Sequence, residues 1–207
     1  MIEKLAYSIG RKDENPNIEL AEELIKTRDE NGVKEIVEGL SSDNPNIAND
    51  CIKVLYEIGY RKPQMIAEYA GVFIDLLKAK NNRLVWGAAI ALANTAPLKA
   101  PEIYKNIDDI ITAYEKGSVI TVDNLISVFA ELAKADIEYE KTLFPLIIKH
   151  LESCRPKEVG QHAERSIACV NKNNSDDFKK VLLKRLDDLT DPQKKRVNKL
   201  LKKIEND

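Results

Sequence analysis

The side chains of this chain that could ligate a metal or act as nucleophiles are few: two histidines, His150 and His162, and three cysteines, Cys51, Cys154 and Cys169. His150 and Cys154 are four residues apart, one helical turn, and His162 lies four residues after Glu158, three before Arg165 and seven before Cys169. Zinc needs three or four such groups converging on one point. Pro156 falls between the two sets, and no compact Cys-x-x-Cys or His-Glu-x-x-His spacing occurs. Isolated histidines and buried thiols are therefore the expectation, with no metal ligand, no catalytic residue and no cofactor assigned. A His162–Cys169 nucleophilic pair fails on reach, since seven helical residues rise about 10 Å.

Other chemistry is excluded on similar grounds. The acidic pairs Asp108-Asp109, Asp176-Asp177 and Asp187-Asp188 are adjacent residues, which diverge by about 100° on a helix and do not converge as a general acid and base. Gly87, Gly117 and Gly160 stand singly, so there is no glycine-rich phosphate loop. The longest apolar runs, Leu143–Ile148 and Gly87–Ala93, fall far short of the roughly 20 residues of a membrane span. The start, Met-Ile-Glu-Lys-Leu-Ala, lacks the basic and apolar regions of a signal peptide. With an odd number of cysteines at unrelated spacings, this predicts reduced thiols in a cytoplasmic protein.

Charge is balanced in total and uneven in place. Lys+Arg number 32 against Asp+Glu 34, a net charge of −2, with 32% charged and 43% hydrophobic residues. That composition excludes disorder and predicts helices with solvated outer faces. Residues 1–60 carry 13 acidic and 7 basic side chains, whereas 171–207 carry 7 acidic and 11 basic. The basic end, Lys194-Lys195-Arg196, Lys199 and Lys202-Lys203, reads as the solvated face of a terminal helix, or as a contact for nucleic acid or an acidic protein.

The elements that must position these residues emerge from an internal repeat. Ile36, Val37 and Leu40 recur 37 residues on as Phe73, Ile74 and Leu77, then as Ile110, Ile111 and Tyr114, then as Ile147, Ile148 and Leu151. The next step, of 38, reaches Arg185, Leu186 and Leu189, where only Arg185 departs from the apolar pattern. A second register aligns Cys51, Ala88, Leu125, Ala163 and Leu200, and another Leu55, Leu92, Phe129, Ile167 and Ile204. Both have helical spacing, so each unit is a pair of helices. The turns within pairs recur too, at Asp43-Asn44-Pro45-Asn46, Lys80-Asn81-Asn82, Gly117-Ser118, Arg155-Pro156 and Asp191-Pro192. The expected organisation is one all-α domain over residues 1–207, with repeats at 32–60, 63–97, 100–135, 137–172 and 176–205. Residues 1–31 form an N-terminal cap or degenerate repeat, with a short amphipathic helix carrying Ile2, Leu5, Ala6 and Ile9, followed by Glu14-Asn15-Pro16-Asn17, which echoes the 43–46 turn at a spacing of 29. Such pairs cannot bury their apolar faces alone and must stack.

The segment Phe73-Ile74-Asp75-Leu76-Leu77, followed by Asn81-Asn82-Arg83-Leu84-Val85-Trp86-Gly87-Ala88-Ala89-Ile90-Ala91-Leu92-Ala93, resembles the HEAT repeat of the armadillo-like α-solenoids. The stretch from Ile103 to Ala133 does so more distantly, its Gly117-Ser118-Val119 turn lacking the usual Asp and Arg. The resemblance covers nearly the whole chain, does not separate HEAT from armadillo, and implies a right-handed α-α superhelix whose second helices line a concave partner-binding surface. On those helices one ladder reads Asn49, Trp86, Asp123, Gln161 and Asn198, and the next Lys53, Ile90, Ser127, Arg165 and Lys202. Asn49, Lys53, Trp86, Ile90, Asp123, Ser127, Gln161 and Arg165 are therefore the expected partner-binding residues. Trp86 and Ile90 form the expected exposed apolar centre, weighed against Trp86 as ordinary core. The function so implied is a non-enzymatic scaffold binding another protein or peptide. The alternatives are a nucleic-acid-binding protein or an enzyme resembling the HEAT-like alkylpurine DNA glycosylases, which need a basic face, aromatic residues and a catalytic Asp near where Trp86, Asp123 and Arg165 fall. The phycobilin lyases also contain HEAT-like repeats, but their chemistry has no identifiable residues in this chain.

Overall fold

The computed structural model describes residues 1–206. Among the described residues there are eleven α-helices and no strand: α1 (Asn15–Thr27), α2 (Glu30–Glu38), α3 (Pro45–Arg61), α4 (Ala70–Leu76), α5 (Asn82–Tyr104), α6 (Ile107–Lys116), α7 (Val119–Ala135), α8 (Ile137–Ser153), α9 (Pro156–Ser166), α10 (Ser175–Arg185) and α11 (Asp191–Asn206). None of the described helices is long and apolar enough to cross a membrane. Contacts group the chain into two compact units, Met1–Leu125 and Ile126–Asp207, with the boundary inside α7.

In the first unit, α3 packs between α1 and α5, while α2 lies on α3 and α4 on α5. The paired helices begin where their turns supply caps. Asn44 accepts from the Asn46 amide at 3.0 Å with Pro45 in the first helical turn, and Asn81 accepts from the Arg83 amide at 3.0 Å. Each bond satisfies an amide that the helix leaves without a partner. Asn81 also donates to Asn49 Oδ1 at 2.8 Å, joining the starts of α3 and α5. Every member of the 51/88/125 register is fully buried, as are Leu55 and Leu92. The α3–α5 contact depends on Gly87, because a Cβ there would lie 2.5 Å from Ile52 Cγ1.

One expectation is corrected in this unit. The N-terminal segment is a 3-10 turn at Ile2–Lys4 followed by irregular chain, not an amphipathic helix. Leu5 and Ala6 are buried but Ile9 is 52% exposed, and Gly10 turns the backbone at φ +75°. Within Asn82–Tyr104 the backbone is non-helical at Lys99 (φ −130°, ψ 29°), which divides α5 into two helical stretches near the expected change of repeat, and Pro97 and Pro101 remove two helical donors there.

In the second unit α8 packs on α9 and α10, and α11 packs on α9 and α10. Leu143, Ile147, Val159, Ala163, Phe178 and Leu182 form its buried centre. Arg185, the residue that departs from the apolar register, is only 6% exposed.

Replacing Gly87 by Ala should destabilise the first unit by about 1–3 kcal/mol, because the added methyl overpacks against Ile52 by more than the gain in helix propensity. Urea unfolding followed through the fluorescence of Trp86 measures this. A variant as stable as the parent would show that the α3–α5 approach is not tight.

Candidate functional site

The ladder residues of the first unit fall on α3 and α5, and the structure corrects how two of them are presented. Ile90 is 6% exposed and belongs to the core, so it forms no surface patch with Trp86. Lys53 is also buried: its Nζ meets Glu57 Oε1 at 2.7 Å and Glu14 Oε2 at 3.1 Å, and lies 4.8 Å from the Tyr56 ring centroid. The physical reason is the same for both. Both positions are enclosed by the stacked helices, where an aliphatic side chain packs directly and a lysine is tolerated only with its charge paired.

Trp86 is half-buried, between the two readings weighed for it. Its ring packs on Tyr56 at a centroid distance of 5.8 Å, and the Arg83 guanidinium carbon lies 5.6 Å from its centroid. Arg83 in turn pairs with Glu14, and Arg61 pairs with Glu57 and, at 3.6 Å, with Glu22. Trp86 thus stands at the edge of a mixed-charge network that joins α1, α3 and α5. Burial alone would raise the carboxyls of Glu57 and Glu14, but Lys53 with Arg61, and Lys53 with Arg83, outweigh it and hold both below their ordinary value. Asn49 and Asp123 are half-buried. Asn49 and Arg83 help to line an open polar pocket of about 300 Å³ with Glu14 and Asp50.

In the second unit Ser127, Gln161 and Arg165 are half-buried, and Arg165 Nη1 donates to Ser127 Oγ at 3.0 Å. The basic face of α11 is partly engaged, since Arg196 Nε donates to Glu164 Oε1 at 2.8 Å and Nη2 to Oε2 at 2.5 Å.

The separation expected between the His150/Cys154 and His162 sets is overturned. His150 lies in the last turn of α8, Cys154 caps that helix, and Pro156 opens α9 as its first residue. Proline at this position starts a helix instead of breaking one. The Cys154-Arg155 link turns the chain back on itself, α9 packs against α8, and His162, two turns in, comes level with His150. His150 Nε2 and His162 Nδ1 are 2.7 Å apart, with the rings 8% and 1% exposed, and one ligand atom from each of His150, Cys154 and His162 lies within 4.8 Å of the others. Arg185 fixes the link from α10: its Nη1 donates to the Leu151 carbonyl, Nη2 to the Cys154 carbonyl at 2.9 Å, and Nε to Asp188 Oδ2 at 2.8 Å. A cation at the C-terminus of α8 is the favourable arrangement. Burial pushes the Cys154 thiol up while the Arg185 guanidinium draws it back, whereas the more deeply buried Cys51 and Cys169 thiols rise to about 12. Two sequence signals point to this cluster: a His-x-x-x-Cys at a helix end followed by Pro, and Arg185 as the one departure from the repeat.

No protein-family model matches the chain, and no curated protein matches it. Solved structures do. An engineered protein superposes with a TM-score of 0.69 at 20% identity, over 99% of this chain and 96% of its own. A designed armadillo repeat protein in complex with the peptide (KR)4 gives 0.65 at 13% identity, over 89% and 88%. The karyopherin Kap121p bound to the SUMO protease Ulp1p gives 0.70 at 13% identity, over 96% of this chain and 22% of that one. The fold is that of a HEAT/armadillo-like α-solenoid.

Two outcomes follow from the geometry. Glu57 and Glu14 are held below the ordinary value of 4.5, so the stability they contribute is present above that pH and lost as pH falls through their lowered folded values. Lys53→Met should therefore be less stable than the parent at pH 7, with the gap narrowing between pH 5 and 3 in urea midpoints; parallel curves would contradict the pairing. Arg185→Met strands the Leu151 and Cys154 carbonyls and should cost about 2–3 kcal/mol, read as a lowered thermal midpoint.

Proposed function

We propose that this chain is a non-enzymatic interaction module that binds a peptide segment of another protein along the surface of its second helices. The observation that carries the reading is Trp86. It is the only tryptophan of the chain, half-exposed on α5, and held in place by Tyr56 and Arg83. A large ring already fixed by its neighbours loses little entropy on binding, and tryptophan is enriched among residues that dominate interface energetics. Ile90 supports the site from beneath, Asn49 and Asp123 flank it as polar contacts, and Lys53 acts through the network that orients Arg83. In the second unit Ser127, Gln161 and Arg165 offer donors and acceptors of the kind that fix a peptide backbone. The fold supports the reading by analogy, since the designed armadillo neighbour is in complex with the peptide (KR)4 and Kap121p with a protein. The acidic bias of residues 1–60 favours a basic segment.

The nucleic-acid and glycosylase alternatives have less behind them. Arg196 is engaged by Glu164, Trp86 has an arginine over its ring where a flipped base would need to stack, and the chain carries a net charge of −2.

Titration with the octapeptide (Lys-Arg)4 and with sequences panned from a peptide library should give a saturable change in Trp86 fluorescence. Trp86→Ala should weaken binding at least tenfold in calorimetry, and Arg165→Glu should also weaken it, both with unchanged helical circular dichroism. A library that yields no binder, or binders indifferent to both substitutions, would defeat the proposal.

A further inference from the structure

We propose that His150, Cys154 and His162 form a binding site for a divalent cation of the zinc class, built on the α8–α9 hairpin. Both histidines of the chain and one of its three cysteines converge there, with ligand atoms within 4.8 Å of one another. Two imidazoles and a thiolate are the donor set that suits zinc, and three protein ligands leave one tetrahedral position for water or an incoming group.

The geometry is near that of a filled site. In tetrahedral zinc the ligand atoms lie roughly 3.3–3.7 Å apart, as bond lengths of about 2.0–2.3 Å require. The imidazole nitrogens, now 2.7 Å apart, open slightly, and the sulfur closes by a side-chain rotation. At 2.7 Å one nitrogen donates its proton to the other; as the cation binds both, that proton moves to the remaining nitrogen of its own ring, each imidazole stays neutral, and the proton released to solvent is the one on the Cys154 sulfur.

The surroundings are also those of a built site. Arg185, buried among apolar repeats, holds the Leu151 and Cys154 carbonyls and so sets the hairpin link that carries the sulfur. This is the supporting role played by residues around metal ligands. Glu158, one turn before His162, places a carboxylate close enough to interact with that ring, and Arg155 fixes it through Nε at 2.9 Å. The half-buried Cys154 gives the cation a way in past two buried imidazoles. By contrast, Cys51 and Cys169 are enclosed and belong to no such group among the described residues.

The test uses the full chain, reduced and stripped with a chelator, titrated with Co²⁺ alone and then with Zn²⁺. The expected result is one equivalent of Co²⁺ bound with a thiolate-to-metal charge-transfer band, displaced by Zn²⁺, and a higher thermal midpoint with Zn²⁺. Cys154→Ser should abolish the band and His162→Asn should weaken binding at least tenfold, while Cys169→Ala keeps both. If His162→Asn does not fold, Cys154→Ser at the half-buried helix end carries the comparison. A folded parent chain that gives no thiolate band with Co²⁺, or a band that survives Cys154→Ser, would overturn the site. Loss of peptide binding in Trp86→Ala has no bearing on this result, so the two proposals fail separately.

Discussion

The structure depends on one constraint: none of its helix pairs has an apolar face that it can bury by itself. The stripes Cys51 and Leu55 on α3 and Ala88 and Leu92 on α5 are fully buried in the stack, in which α3 lies against α5 as well as against the helices of its own unit. The seam is close enough that Gly87 must lack a side chain opposite Ile52. Close packing of this kind decides the fate of the neighbouring positions. Ile90 is drawn inside, Lys53 is drawn inside with its charge matched, and Trp86, one turn back, is left straddling the edge. The candidate binding residue is thus a product of how tightly the second helices approach.

Charged groups answer the same constraint within each unit. A single carboxylate, Glu14, reaches Lys53 on α3 and Arg83 on α5, which ties the start of α1 to both helices. In the second unit Arg185 on α10 reaches the carbonyls that end α8. Both interactions cross between repeats, and Arg185 places a charge where the apolar pattern would put a hydrocarbon. Buried charges rarely add net stability compared with good packing, but once present they penalise any arrangement that leaves them unpaired. In this chain they define which helix ends meet, and therefore which side chains stand beside Trp86 and beside His150.

The period of the repeat was readable from sequence because burial imposes it on every unit, and the registers at 51/88/125/163/200 and 36/73/110/147 are buried almost without exception. Helix starts were readable from Asn44-Pro45, Asn81 and Pro156, whose side chains act locally. What the sequence hid depends on tertiary approach. No local signal distinguishes Ile90 as core from Ile90 as surface, and Lys53 looks solvated until Glu57 and Glu14 are brought to it. The His150/Cys154/His162 cluster was hidden for a different reason. Pro156 marks the start of α9 but not the direction of the chain, and the return that brings α9 back along α8 makes residues twelve apart in sequence direct neighbours.

The central claim is that a partner peptide lies on the second helices around Trp86. Hydrogen–deuterium exchange of the full chain, with and without a bound peptide, reads this directly. The account predicts slowed exchange in α3 and α5 around Lys53–Glu57 and Trp86–Ile90, with α2 and α4 unchanged. Protection confined to α2 and α4, or to the basic face of α11, would contradict it.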